Sequence, residues 1–175
     1  KRGDIGNTAR AYARAVFDEL GADAVTVNPY LGYDSIEPFI AYRNKGVFIL
    51  CRTSNPGADD FQSLNCNGKP LYRIVADRVM DWNVHHNLGL VVGATRPEEL
   101  KVIRQEHPTL PILIPGIGAQ GGNLEQTVKN GADKNGELAI ISSSRRIIYA
   151  SSDKDYTTAI RRAAQSTRDE INRYR

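Results

Sequence analysis

Pro111-Ile112-Leu113-Ile114-Pro115-Gly116-Ile117-Gly118-Ala119-Gln120-Gly121-Gly122-Asn123-Leu124 passes from a short apolar run through a glycine-rich turn into a segment of helical character. The β-branched run between prolines suits a buried strand, and the stretch from about Leu124 to Asn130 suits a short helix. Glycines at 116, 118, 121 and 122 allow a tight turn and a close approach of backbone to a ligand. Strand, turn and helix in that order make one βα unit, with a helix N-terminus placed to receive an anion.

The same rhythm runs outward from this unit in both directions. Strands are expected at Ala24–Val27, Val47–Thr53, Gly89–Ala94 and Leu138–Ser142. Between them lie stretches of helical period. Thr8 caps a first helix with Ala11, Ala15, Val16 and Leu20 on its apolar face and Gly21 as its stop. A second helix opens at Asp34 or Ser35 and carries Ile36, Phe39 and Ile40 inward. A long polar loop, Ser54 to Pro70, precedes a helix over Leu71–Asn87. Thr95 caps a helix whose first turn holds Pro97, Glu98 and Glu99, as the missing N–H partner and the macrodipole favour. A final helix sets Tyr156, Ile160, Ala163, Ala164, Thr167, Ile171 and Tyr174 on one side.

Counted this way, five strand-plus-helix units follow the end of another strand, with no shift of composition between them. Alternating β and α segments predict a parallel sheet, and the natural frame is an α/β fold of the TIM, or (β/α)8, barrel type. Such barrels take about 250 residues, so the 175 residues are expected to be a single domain, residues 1–175, forming the C-terminal part of a barrel whose N-terminal strands are missing from the chain.

Composition excludes several classes. The chain is 41% hydrophobic and 25% charged, with a mean hydropathy of −0.42, which fits a globular protein rather than a disordered one. Its longest apolar runs, such as Val47 to Cys51, fall far short of the 18 or so residues a membrane span requires. A net charge of +3 suits a small anionic ligand. No basic stripe is interleaved with aromatics, so nucleic acid is not expected as a partner. Cys51 and Cys66 lack a CxxC spacing or a nearby histidine, so they read as free thiols with no metal site, and a cytoplasmic location is expected.

Polar residues with chemical potential fall just after strands: Lys1, Asp4, Asn28, Ser54, Thr95, Gln120 and Arg145. A parallel barrel builds its active site at this end, with phosphate gripped by the loops after the last two strands. The glycine loop and Arg145, whose planar guanidinium matches phosphate oxygens, occupy those two positions.

Lys1-x-x-Asp4-Ile5-x-Asn7-Thr8, Thr53-Ser54-Asn55-Pro56-Gly57, Gly93-Ala94-Thr95, the loop from Pro115 to Gly122, and Ser144-Arg145 together resemble the orotidine 5'-phosphate decarboxylases, in their longer bacterial subfamily. The resemblance runs in order over essentially the whole chain. It implies Lys1 as the proton donor to C6 of the pyrimidine and Asp4 as a carboxylate given to the partner subunit's site. It further implies that Thr8 reaches across a homodimer with shared active sites, Ser54 bonds the pyrimidine edge, Gln120 bridges base and phosphate, and Arg145 binds phosphate beside Gly121 and Gly122. The family's motif opens with an Asp two residues before the lysine, which this sequence lacks, as it lacks the earlier Asp and Lys of the charged tetrad. The chain by itself is therefore expected to be inactive.

The implied reaction is decarboxylation of orotidine 5'-monophosphate to UMP in pyrimidine biosynthesis, without metal or organic cofactor. A fixed ammonium beside C6 stabilises carbanion character there and then supplies the proton. Two alternatives remain open: a sugar-phosphate decarboxylase or aldolase of the same superfamily, and a non-catalytic nucleotide-binding module.

Overall fold

The apolar runs become strands, and they lie side by side in the order in which they occur in the chain. A computed structural model describing residues 1–118 and 121–175 contains β1 (Ala24–Val27), β2 (Gly46–Arg52), β3 (Asn65–Cys66), β4 (Lys69–Pro70), β5 (Leu88–Val92), β6 (Ile112–Pro115) and β7 (Ala139–Ser142). The helices are α1 (Gly6–Arg14), α2 (Tyr33–Ile40), α3 (Leu71–Trp82), α4 (Pro97–Glu106), α5 (Leu124–Gly131), α6 (Arg145–Ile148) and α7 (Tyr156–Tyr174). Among the described residues no helix is long and apolar enough to cross a membrane.

The main sheet has five strands in the order β1-β2-β5-β6-β7, with every pairing parallel. A doubly wound sheet reverses direction at a switch point, whereas this sheet advances one way only, as a barrel does. Right-handed crossovers in a one-way sheet place their helices on one face. The register shows that face directly: Val27, Ile49, Leu90 and Ile112 are neighbours across four strands, and all are fully buried. Each such side chain contributes about 1.5–3 kcal/mol relative to exposure. The opposite face carries the row Leu50, Val91, Leu113 and Ile140. Along it Val91 is buried, Leu50 and Leu113 are half-buried, and Ile140 at the β7 edge is 49% exposed. On this face Phe48 lies over Gly89, where a Cβ would come within 2.7 Å of its ring.

Arg2 extends the sheet beyond β1. Arg2 N donates to Thr26 O (3.0 Å) and Asn28 N to Arg2 O (2.8 Å), a parallel bridge of Arg2 with Val27. The opening residues therefore sit at the C-terminal end of a strand position, as the sequence implied.

Several local expectations need correction. Thr8 is not a cap, because α1 starts at Gly6; Asp4 closes the turn earlier by accepting Ile5 N on Oδ1 (2.8 Å). Thr95 is not a cap either, since Arg96 precedes the first turn of α4 and the Thr95 hydroxyl is buried without a hydrogen-bond partner among the described residues. The segment from Ser54 to Pro70 is not wholly irregular: β3 and β4 pair across Asn67 (φ 56°) and Gly68 (φ 85°). An Asn-Gly pair is the dipeptide that tolerates two successive left-handed residues, so this hairpin was legible in the sequence. Helix α3 stops at Trp82 rather than Asn87 because Asn83 leaves helical geometry and its Oδ1 accepts Leu88 N (2.9 Å), leading the chain into β5. In α7, Thr167 is buried and Ile160, Ala163, Ile171 and Tyr174 are half-buried, but Tyr156 and Ala164 are exposed. That helix packs chiefly against α5 and α6, so its covered strip is narrower than its apolar face.

The end of the sheet away from the site is tied by one buried cation. Arg104 donates to the carbonyls of Gly131, His107, Pro108, Leu110 and Leu138, joining the turns around α4, α5 and β7.

Candidate active site

The loops after the parallel strands converge at one end because the strands share one direction. Ser54 follows β2 and packs on Gly93, which follows β5. Backbone carries this contact too, as Gly93 N donates to Arg52 O (2.7 Å). The next residue, Ala94, meets the glycine loop. A Cβ built on Gly122 would stand 2.7 Å from Ala94 Cβ and 2.8 Å from Gly116 O, so a side chain there would push the loop off the strand end. Gly118 in turn lies against the aliphatic part of Arg146, next to Arg145. Ser54, Gly122 and Arg145 thus belong to one continuous rim.

Backbone hydrogen bonds join the described residues of the glycine loop. Gly121 N donates to Gly118 O (2.8 Å) and Gly122 N to Gly116 O (3.3 Å), so these two amides serve the turn itself in this conformation. Gly116, Gly118 and Gly121 all have positive φ, and the space around Gly121 is open. Asn123 caps α5 by accepting Gln126 N (3.0 Å). Gln120, expected to bridge base and phosphate, lies outside the described residues. Arg145 is exposed at the start of α6, and no described residue pairs with its guanidinium, whereas its neighbour Arg146 is bound to Glu170 (3.0 Å). Arg145 is thus free to meet an incoming anion.

Lys1 and Asp4 stand at the same end, beside β1. Gly3 approaches Asn28, where its Cβ would be 3.4 Å from the asparagine Cβ. Lys1 is exposed and makes no ion pair with Asp4, which is half-buried and turned onto its own backbone at Ile5. Thr8 is exposed on α1. Among the described residues no carboxylate forms an ion pair with the lysine. A cavity of about 630 Å³ lies nearby, between Asn28, Tyr30, Cys51, Phe61, Gln62 and Tyr72; of the polar strand-end residues singled out from the sequence, Asn28 lines it, and Lys1, Asp4, Ser54 and Arg145 do not.

A charged cluster beneath the Ser54 loop escaped sequence reading. Arg52, the last residue of β2, is fully buried. It makes a two-pronged contact with Glu99 of α4 (Nε to Oε2 2.5 Å, Nη2 to Oε1 3.1 Å) and reaches Asp59 Oδ1 (2.6 Å). Asp59 also accepts from Ser63 Oγ (2.6 Å) and Arg96 (2.8 Å), and these bonds from Ser63, Arg52 and Arg96 hold its carboxyl well below the usual range. An arginine ending the apolar run from Val47 was the available signal. Burial pushes the neighbouring Cys51 thiol up, so it stays protonated and inert while donating to Tyr72 O.

The sequence profile of the Orotidine 5'-phosphate decarboxylase / HUMPS family matches residues 1–160. The chain belongs to this family. Relatives named orotidine 5'-phosphate decarboxylase include a protein of Dehalococcoides mccartyi, 58% identical over the whole chain and 66% of the relative, and one of Ralstonia nicotianae, 53% identical over the whole chain and 65% of the relative. The chain thus spans slightly less than two thirds of the length of these relatives. Among solved structures, UMP synthase of Leishmania donovani superposes with a TM-score of 0.90 at 44% identity, covering 99% of this chain and 38% of that one. Orotidine 5'-phosphate decarboxylase of Pyrococcus horikoshii gives 0.70 at 33%, covering 98% of this chain and 71% of that one. The one-way parallel sheet is accordingly part of a TIM barrel of the decarboxylase family.

Proposed function

We propose that this chain is the catalytic-lysine portion of a cytoplasmic orotidine 5'-monophosphate decarboxylase. The observation that carries the reading is the bridge of Arg2 to Val27, which fixes Lys1 and Asp4 at the strand end that also bears Ser54 and the glycine turn. The bond from C6 of the pyrimidine to the carboxylate carbon breaks and CO₂ leaves. Its electron pair stays on C6, where the Lys1 ammonium stabilises it and then transfers a proton. Ser54 reads the base edge, Arg145 with the turn at Gly121 and Gly122 grips the phosphate, and Gln120 bridges base and phosphate. Phosphate binding far from C6 supplies energy for closing the loop over the substrate.

In this proposal Asp4 and Thr8 act across a homodimer, placing a carboxylate beside the partner's lysine and keeping it charged. Lys1→Ala and Asp4→Ala proteins of full family length, mixed 1:1 and allowed to exchange subunits, should regain about a quarter of the wild-type sites, because one site in each heterodimer is intact. Activity no higher than that of the separate variants argues against shared sites. The reaction itself is tested by orotidine 5'-monophosphate turnover in the presence of a chelator, with loss in Lys1→Ala. Turnover that needs added divalent metal favours a sugar-phosphate enzyme instead.

A further inference from the structure

The Arg52 cluster joins two loops whose relative placement decides how a nucleotide is read. One is the segment after β2, which holds Ser54 and continues through Asp59 to Ser63. The other follows β5 and holds Gly93, Ala94, Arg96 and, in the first turn of α4, Glu99. Arg52 bonds both: its side chain grips Glu99 and Asp59, and its carbonyl accepts Gly93 N. Asp59 returns across the gap to Arg96. A register irregularity between Leu50 and Arg52 marks the point where β2 reaches this cluster, with the Tyr72 ring 5.7 Å from the guanidinium carbon. The far loop also carries Ala94, on which Gly122 of the phosphate turn rests.

A buried ion pair seldom adds net stability over a packed apolar side chain of the same size, because removing both charges from water costs about as much as their attraction returns. What it adds is direction, since a guanidinium fork meets a carboxylate in few orientations. Arg52 Nη1 is buried without a hydrogen-bond partner among the described residues, a cost that a cluster selected for stability alone has no reason to keep.

We propose that Arg52 is a positioning residue: through Glu99 and Asp59 it fixes the Ser54 loop against the Gly93–Ala94 segment, so that the base-reading serine and the phosphate turn keep a set distance. The proposal rests on the reading of Ser54 as a base contact. It is tested in the protein of full family length with Asp59→Asn, which spares the Arg52–Glu99 pair, and with the double variant Arg52→Met/Glu99→Met, which removes both buried charges together. The ligands are UMP, which has base and phosphate, and ribose 5-phosphate, which has phosphate alone.

UMP affinity and kcat should each fall by about tenfold or more in both variants while ribose 5-phosphate affinity changes less than about twofold, the pattern of a misplaced base contact. Equal losses for the two ligands, or none for either, overturn the proposal. A double variant that does not fold leaves Asp59→Asn to decide it. A wild-type protein that fails to bind UMP defeats the decarboxylase reading, and this inference with it. A wild type that binds UMP while both variants match it defeats the positioning role alone.

Discussion

Gly93 lies so close to Ser54 that a Cβ on the glycine would sit 2.8 Å from the serine Cβ and 2.9 Å from its backbone nitrogen. Neither neighbour is the far end of a flexible side chain, so the backbone after β2 has to move if residue 93 is enlarged. Gly93→Ala should cost about 1–3 kcal/mol of stability from overpacking. It should also lower kcat/KM for orotidine 5'-monophosphate by about 100-fold, as a displacement near 1 Å does to a positioned contact. Urea unfolding and steady-state kinetics on the full-length protein check both, and a variant with wild-type kinetics refutes the close fit.

Arg145 is exposed and unpaired among the described residues, which leaves its fork available to a phosphate. Arg145→Ala should weaken UMP by about 1.5–3 kcal/mol, the worth of a charged hydrogen bond. Uridine, lacking the phosphate, should bind equally well to both proteins. Calorimetric titration with each ligand separates the outcomes, and equal losses for uridine and UMP show a structural role instead.

Arg104→Met leaves the carbonyls of Gly131, Pro108 and Leu110 without their donor, whereas Leu138 O keeps the backbone N–H of Ile112 (2.8 Å). The expected loss is roughly 3–5 kcal/mol, because several buried acceptors are stranded at once. Lysine restores the charge but not the fork, so Arg104→Lys should recover only part of the loss. The midpoint and slope of urea unfolding read this directly.

Asp59 and Asp133 both carry carboxyls held below the ordinary range. Asp59 is held by Ser63, Arg52 and Arg96, and Asp133 by the backbone N–H groups of Glu137 and Asn135. A folded-state pKa below the unfolded one gives stability that is fully present above the unfolded value, about 3.9. That stability fades as pH falls toward the folded value. Wild-type protein should therefore lose stability more steeply below about pH 4 than Asp59→Asn or Asp133→Asn does. Unfolding midpoints at pH 5 and pH 3 show the difference, and parallel curves contradict it.

Much of the fold was legible because it rests on local periodicity. Alternating strand and helix segments, the stop at Gly21 and the apolar face of α2 follow from neighbours within a turn or two, and five strands emerged where the β-branched runs lie. The Asn67-Gly68 hairpin was equally local and was overlooked. Helix starts were less legible. Thr8 and Thr95 are good caps by type, but α1 already starts at Gly6, after the Asp4–Ile5 turn, and the chain bends at Arg96 into Pro97.

The sequence by itself determined the kinds of residue at the strand ends, and with them the lysine, serine, glycine-turn and arginine stations of the candidate site. Tertiary structure alone decided which stations touch: Ser54 on Gly93, Gly122 on Ala94, and Gly118 beside Arg146. It also decided that Arg52 is buried among Glu99, Asp59 and Tyr72, residues up to 47 positions away in the chain. The physical reason is the range of the forces involved. Periodicity and turn chemistry act over a few residues and are written along the chain, whereas close packing and paired charges depend on distances that exist only after the strands have aligned.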